Sequence, residues 1–160
     1  MLQRLLKSDA PAAVILIRVA VGAVFLSEGI QKFLYPAARG VGRFEKIGFE
    51  AAEFLAPMVG AFETICGALV LLGLLTRFAA LPLIGIMLTA IVTTKLPILA
   101  GQDLWGFHVR ELSSYGVWSM AHEVRTDFAM LLGAVFLLIT GGGRWSIDAM
   151  LTRCEITTDS

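Results

Sequence analysis

The chain is predicted to be an all-α membrane protein, a four-helix transmembrane bundle with both termini on the same side of the bilayer. Three observations carry that prediction. Of 160 residues, 57% are hydrophobic and 16% charged, and the mean hydropathy is +0.78, too apolar for a soluble domain of this size. Four apolar runs, at residues 12–30, 58–75, 78–99 and 126–140, approach the roughly 17–25 residues a helix needs to cross a bilayer. None alternates apolar and polar residues as a membrane strand does, so the helix, which satisfies its own backbone, is the spanning element. One domain then covers residues 1–160.

The first run follows MLQRLLKSDA, whose basic residues resemble the start of a signal peptide, but Arg18 interrupts the run and further apolar segments follow. It is read as a retained first span. The second and third runs are separated only by Thr76 and Arg77, so they form a tight antiparallel hairpin, with Pro82 in its first turn or as a mild kink. The fourth run is short and has to begin near residue 120, giving a span over 120–140. Gly141–Gly143 ends that helix and lacks a phosphate-cradling lysine pattern, and residues 144–160 read as a polar tail.

Two long connections remain. Residues 39–57, RGVGRFEKIGFEAAEFLAP, could lay Phe44, Ile47, Phe54 and Leu55 in the interface with Arg43, Glu45 and Lys46 in water. Residues 100–125 carry Trp105, Phe107, Tyr115 and Trp118, rings suited to the headgroup level. The basic residues fix no orientation: Arg4, Lys7, Arg77, Arg144 and Arg153 fall on the terminal side. Against them stand Lys32, Arg39, Arg43, Lys46, Lys95, Arg110 and Arg125, many beside acids.

Thirteen basic and thirteen acidic residues cancel, and no basic run is interleaved with aromatics, which argues against nucleic acid as a partner. Cys66 and Cys154 lie far apart and outside any C-x-x-C, so neither a disulfide nor thiol redox chemistry is expected.

The informative residues are the charges inside the apolar runs, because an ionisable group at membrane depth needs a partner, a wet cavity or a function. Arg18, Gly22, Phe25, Glu28, Gly29 and Lys32 share an arc of about 120° on the first helix, and Gly60, Glu63 and Gly67 share one face of the second. The glycines let these two faces approach closely. Antiparallel stacking then groups Glu28, Lys32, Glu63, Lys95, Glu123 and Asp127 toward the loop side, with Arg18 about 15 Å away from Glu28 along the helix.

A lysine among carboxylates in a poorly solvated pocket is a candidate for proton exchange. Glu28, Lys32, Glu63, Lys95 and Asp127 are the pocket candidates, and an ion-paired network that merely holds the bundle is the competing reading. Arg18 and Arg77 are read as structural charges, the first bound to helix carbonyls or snorkelling, the second a headgroup anchor. His108 and His122 are weak metal candidates: His108-x-x-Glu111 could place two ligands on one helical face, but no H-E-x-x-H is present and no metal is expected.

Several of these residues fall in an order that resembles the DoxX family of small four-span membrane proteins. The resemblance lies in R-x(9)-E-G-x-x-K-F over Arg18, Glu28, Gly29, Lys32 and Phe33, then R-F-E-K-I-G-F over Arg43–Phe49. It continues through Glu63 and Gly67, G-L-L-T-R over Gly73–Arg77, and G-G-G-R-W-S-I-D over Gly141–Asp148. It implies a four-helix fold, a place in the cell membrane as a multi-pass protein, and a redox association, since family relatives are described as membrane partners of oxidoreductases. The H-V-R-E-L and S-M-A-H-E-V-R segments of the third connection fall where the family is expected to vary, so any role for them would be particular to this subgroup.

The function expected from these readings is a membrane subunit of a redox system that binds a quinone or docks an oxidoreductase through the Glu/Lys pocket. Quinone reduction takes protons as well as electrons, and a carboxylate–lysine cluster beside apolar walls can supply the protons. The electrons must come from a partner or a bound cofactor. A small-molecule or proton permease and a non-catalytic assembly factor are the alternatives, and association with a second copy is left open.

Overall fold

The computed structural model describes residues 10–158, with side chains to residue 152. Arg4 and Lys7 lie outside the described residues, as do the side chains of Arg153 and Cys154. Among the described residues seven α-helices follow in order: α1 (Val14–Leu34), α2 (Val41–Ile47), α3 (Ala52–Leu72), α4 (Thr76–Ala90), α5 (Leu96–Ala100), α6 (Val117–Thr140) and α7 (Ile147–Thr158). A π-helical turn, Ile91–Lys95, joins α4 to α5 into a continuous helix over Thr76–Ala100. The described residues form no strand, only an isolated bridge between Leu104 and Phe107.

Among the described residues three helices are long and apolar enough to cross a membrane: α1, α3 and the composite Thr76–Ala100. Their outward positions are apolar, with Leu16 71%, Ile65 59% and Leu81 53% exposed, as suits helices whose solvent is hydrocarbon. The region expected as a fourth span lies within α6, which has 24 residues but carries His122, Glu123, Arg125 and Asp127 in its first half.

Helix ends differ from the sequence reading for local reasons. α1 runs past Lys32 to Leu34 and stops where Pro36 follows Tyr35, since the residue before a proline avoids helical geometry. α3 starts six residues before the expected 58 and carries Pro57 internally. One helical hydrogen bond is lost there, but the helix holds because Ala52 and Ala56 are buried, 3% and 1% exposed. The π turn precedes Pro97, which has no N–H and whose ring crowds the carbonyl four residues back, so the widened turn absorbs the mismatch.

The bundle is made of two halves. α1 packs chiefly on α3, and α4 chiefly on α6. In the first half the backbones nearly touch: a Cβ built on Gly29 would stand 2.6 Å from Thr64 N, and one on Gly67 2.6 Å from Leu26 N. Between the halves Val21, Phe25, Cys66, Val70, Leu83 and Leu137 form the core.

Residues 144–160, expected as a polar tail, instead contain α7, whose first turn is built into the fold. Ser146, Asp148 and Ala149 are buried, and Asp148 N donates to Gly73 O at 3.0 Å. The α3–α4 hairpin needs this support. Gly73 at φ +69 closes α3, and Leu75 at φ +50 is a left-handed residue carrying a Cβ. Asp148 holds that strained turn by accepting from Leu75 N at 2.8 Å, Thr76 N at 3.2 Å and Thr76 Oγ1 at 3.2 Å.

Candidate functional site

A cavity of about 650 Å³ opens between the two halves and collects most of the chain's membrane-depth charge. Glu63 projects from the middle of α3 and is 3% exposed; Lys32, in the last turn of α1, reaches it with Nζ 2.5 Å from Oε2. Gly60 makes this reach feasible, because a Cβ there would meet Phe33 at 3.1 Å and Lys32 Cβ at 3.3 Å. Lys32 also sits where the carboxyl end of α1 favours a cation.

The second half carries its own pair. Lys95, on the π turn, places Nζ 3.1 Å from Asp127 Oδ2 of α6. Lys95 is 9% exposed, and the widened turn shifts the helical phase at the position that turns it inward.

Glu28 lines the cavity but does not join the Lys32–Glu63 pair. It stands at the rim, more than a third exposed, with Oε1 3.9 Å from Arg39. The fold also adds groups not assigned to the pocket from sequence. α2, expected in the interface, instead presents Arg43, Phe44 and Ile47 to the cavity, and Leu55 lines it too. The R-F-E-K-I-G-F run was a usable signal, although spacing alone does not say that it folds back over α1 and α3. Four acids (Glu28, Glu63, Glu123, Asp127) and four bases (Lys32, Arg39, Arg43, Lys95) line the cavity, so its formal charge is zero. Phe25, Phe62, Met58, Met87 and Met130 give it apolar walls.

Arg18 and Arg77, the two charges expected to be structural, lie elsewhere. Arg18 is 2% exposed and donates to Val70 O at 3.0 Å, Leu71 O at 2.5 Å, Gly142 O at 3.2 Å and Trp145 O at 2.5 Å. Gly73 leaves the room this takes, since a Cβ there would be 2.5 Å from Arg18 Cζ. Arg77 is half-buried and donates to Ile139 O at 3.2 Å, tying the hairpin to the end of α6.

The histidines lie on the connection before α6 and on its first turns. His108 and Glu111 do not share a helical face, because helix begins only at Val117, after Gly116. His108 Nδ1 is instead 2.8 Å from Asp103 Oδ2, while Asp103 Oδ1 accepts from Val109 N at 2.8 Å. Those hydrogen bonds, the one to His108 foremost, hold the Asp103 carboxyl below its ordinary range. His122 Nδ1 lies 3.4 Å from an Arg125 guanidinium nitrogen. Among the described residues no group of three or more His, Cys, Asp or Glu is arranged to hold a metal ion.

The segment bearing His108 closes over α2. His108 N donates to Ile47 O at 2.8 Å, and Phe49 sits between Phe44 and Phe107 with ring centroids 5.2 Å apart on each side. α2 and this segment thus form one cover beside the cavity.

Comparison with known proteins places the chain among membrane proteins. A family model described as DoxX matches residues 13–96, which contain α1 through the π turn. An "Uncharacterized membrane protein Rv3486" of Mycobacterium tuberculosis (strain ATCC 25618 / H37Rv) is 54% identical over 150 residues, covering 94% of this chain and 88% of that protein. A "Putative oxidoreductase CatD" of Bacillus subtilis (strain 168) is 27% identical over 143 residues, covering 87% of each. No solved structure matches.

Proposed function

The chain belongs to the DoxX family of membrane proteins, and on that premise we propose that it is a multi-pass subunit of a redox system in the cell membrane. Its cavity, on this reading, receives the head group of a quinone. The observation that carries the reading is an apolar-walled cavity of about 650 Å³ with zero formal charge and two lysine–carboxylate pairs. The volume falls within the roughly 300–1,000 Å³ usual for small-molecule sites.

The donor set fits such a head group. A quinone is neutral and offers carbonyl oxygens, so it asks for N–H donors without a net charge. Lys32 and Lys95 are those donors, and Glu63 and Asp127 hold them in place and accept protons from them. A bound quinone supplies two-electron chemistry coupled to protons. This chain's residues bind and orient it, keep bulk water out with the Phe and Met walls, and hold protons at Lys32 Nζ and Lys95 Nζ. Electrons enter from an oxidoreductase docked on the membrane surface. The name carried by the Bacillus subtilis relative supports that class of partner.

The same reading takes α6 as the fourth span, which returns both termini to one side of the bilayer. Its 24 residues extend about 36 Å, and Asp127 is neutralised by Lys95 rather than left bare in lipid. A continuous permeation path fits less well, because the apolar core of Val21, Val70, Leu83 and Leu137 lies between the cavity and Arg18.

The test is purification of the full chain in mild detergent, mass spectrometry of co-purifying lipids, and titration with a decyl benzoquinone. Stoichiometric, saturable binding is expected in the wild type, with affinity reduced at least about tenfold in Glu63→Gln. Absence of both a co-purifying quinone and saturable binding sinks the redox reading and leaves an assembly role.

A further inference from the structure

Three residues that line the cavity at the middle depth of the spanning helices are also exposed. Val24 is ten residues from either end of α1, and Phe62 is ten from either end of α3. Gly85 is nine residues from the start of Thr76–Ala100 and fifteen from its end. At 1.5 Å per residue, each lies at least about 13 Å inside its helix. All three line the cavity, and all three are exposed: Val24 37%, Phe62 46%, and Gly85 in the exposed class.

For Gly85 that exposure faces outward as well as inward. Leu81, Gly85 and Leu88 follow one another at helical spacing along α4. The two leucines are 53% and 49% exposed and do not line the cavity, so they belong to the lipid-facing stripe. Gly85 belongs to both surfaces. A Cβ built there meets nothing within 4 Å, and its carbonyl already accepts from Thr89 Oγ1 at 2.9 Å, so the opening presents no unsatisfied backbone group to hydrocarbon. The seam it occupies also separates the two halves of the bundle.

We propose that the cavity is entered sideways from the bilayer, through a mouth between α1, α3 and α4 at Gly85, and that its ligand is an amphiphile whose hydrocarbon tail stays in that mouth. This deepens the proposed function and rests on it for the identity of the head group. Gly85 is then the specificity-determining residue: it admits a chain where a side chain as large as phenylalanine fills the slot, whereas a lone Cβ meets nothing within 4 Å. The polar head lies toward Lys32, Glu63, Lys95 and Asp127, and the tail runs past Phe25 and Phe62 into lipid. A water-borne ligand of the same head chemistry has no need of such a mouth, whereas an amphiphile already in the bilayer can pass its head through it and leave its tail in hydrocarbon.

The experiment uses the full chain and two probes, a decyl benzoquinone and the same head without its tail. Gly85→Phe is expected to weaken the decyl compound at least about tenfold and the tail-less head less than about twofold. Gly85→Ala should change neither. Equal loss of both probes, or of neither, overturns the mouth.

A second readout needs no quinone. In liposomes holding the full chain, a fatty acid with a diazirine near the end of its chain is expected to label Phe25, a residue of the cavity wall that is 1% exposed. Gly85→Phe should abolish that label. Failure to label Phe25 in the wild type overturns lateral entry whatever the quinone does. Labelling without quinone binding overturns the redox reading and leaves the mouth standing.

Discussion

Arg18 and Lys32 sit on the same helix, about 21 Å apart along its axis, and the protein treats their charges in opposite ways. Arg18 is surrounded by four backbone carbonyls from α3 and from the turn after α6. Lys32 has one carboxylate and a cavity beside it. Backbone carbonyls neither titrate nor change rotamer, so the Arg18 end is a permanent closure once the chain is folded. A side-chain pair can separate, share a proton or accept a third partner, so only the Lys32 end has the means to handle a ligand.

Removing the closure should have the largest effect. Arg18→Met removes the guanidinium donor from the Val70, Leu71, Gly142 and Trp145 carbonyls, and a loss of about 3 kcal/mol or more is expected. Denaturant unfolding of the purified protein measures it. An unchanged unfolding midpoint would show that the two ends do not differ as described.

The cavity end should break differently. Glu63→Gln leaves the Lys32 ammonium buried without its carboxylate, with an expected loss of about 2 kcal/mol. Adding Lys32→Met should recover most of that stability, because a neutral pair of similar volume carries no desolvation penalty. Quinone binding should be lost in both the single and the double variant. A double variant that still binds normally would reassign the pair from ligand chemistry to a staple.

A smaller change sharpens the closed end. Thr76→Val removes the Oγ1 donor to Asp148 but keeps the backbone donors of Leu75 and Thr76, so a loss of about 1 kcal/mol is expected, read from the same unfolding curves.

The smallest effect should lie at the cover. Because Asp103 has its carboxyl held below the ordinary range, its contribution is fully present above the usual Asp value and fades as pH falls through the lowered one. The Val109 amide should therefore stay protected from exchange into mildly acidic solution. Asp103→Asn should expose it at neutral pH while the helices of both ends exchange as before. Hydrogen exchange followed by mass spectrometry measures both.

The helical class, the apolar spans and the unusual character of Arg18, Lys32 and Glu63 were legible in the sequence, because hydropathy and charge are local properties of a segment. The ends of the helices were less so. Lys32 reads as the end of a span only until its ammonium is known to be buried against Glu63, and Pro57 reads as a boundary only until Ala52 and Ala56 are seen to be packed. The face-sharing glycines of α1 and α3 do lie against each other. Residues 144–149 read as the start of a solvated tail because the partners of the Asp148 carboxylate, on Leu75 and Thr76, are more than 70 residues away in the chain.

By itself, then, the sequence determined that the chain is a helical membrane protein and that a few charges would have to be accounted for at depth. The tertiary structure alone decided how: which carbonyls receive Arg18, that Glu28 turns to Arg39, that the π turn brings Lys95 to Asp127, and that Asp148 ties the hairpin. The physical reason is separation along the chain. Lys32 and Glu63 are 31 residues apart, Arg18 and Trp145 127, Thr76 and Asp148 72. Periodicity and hydropathy act over a turn or a span, whereas a buried charge is satisfied by whichever atoms the whole fold brings within hydrogen-bonding distance of it.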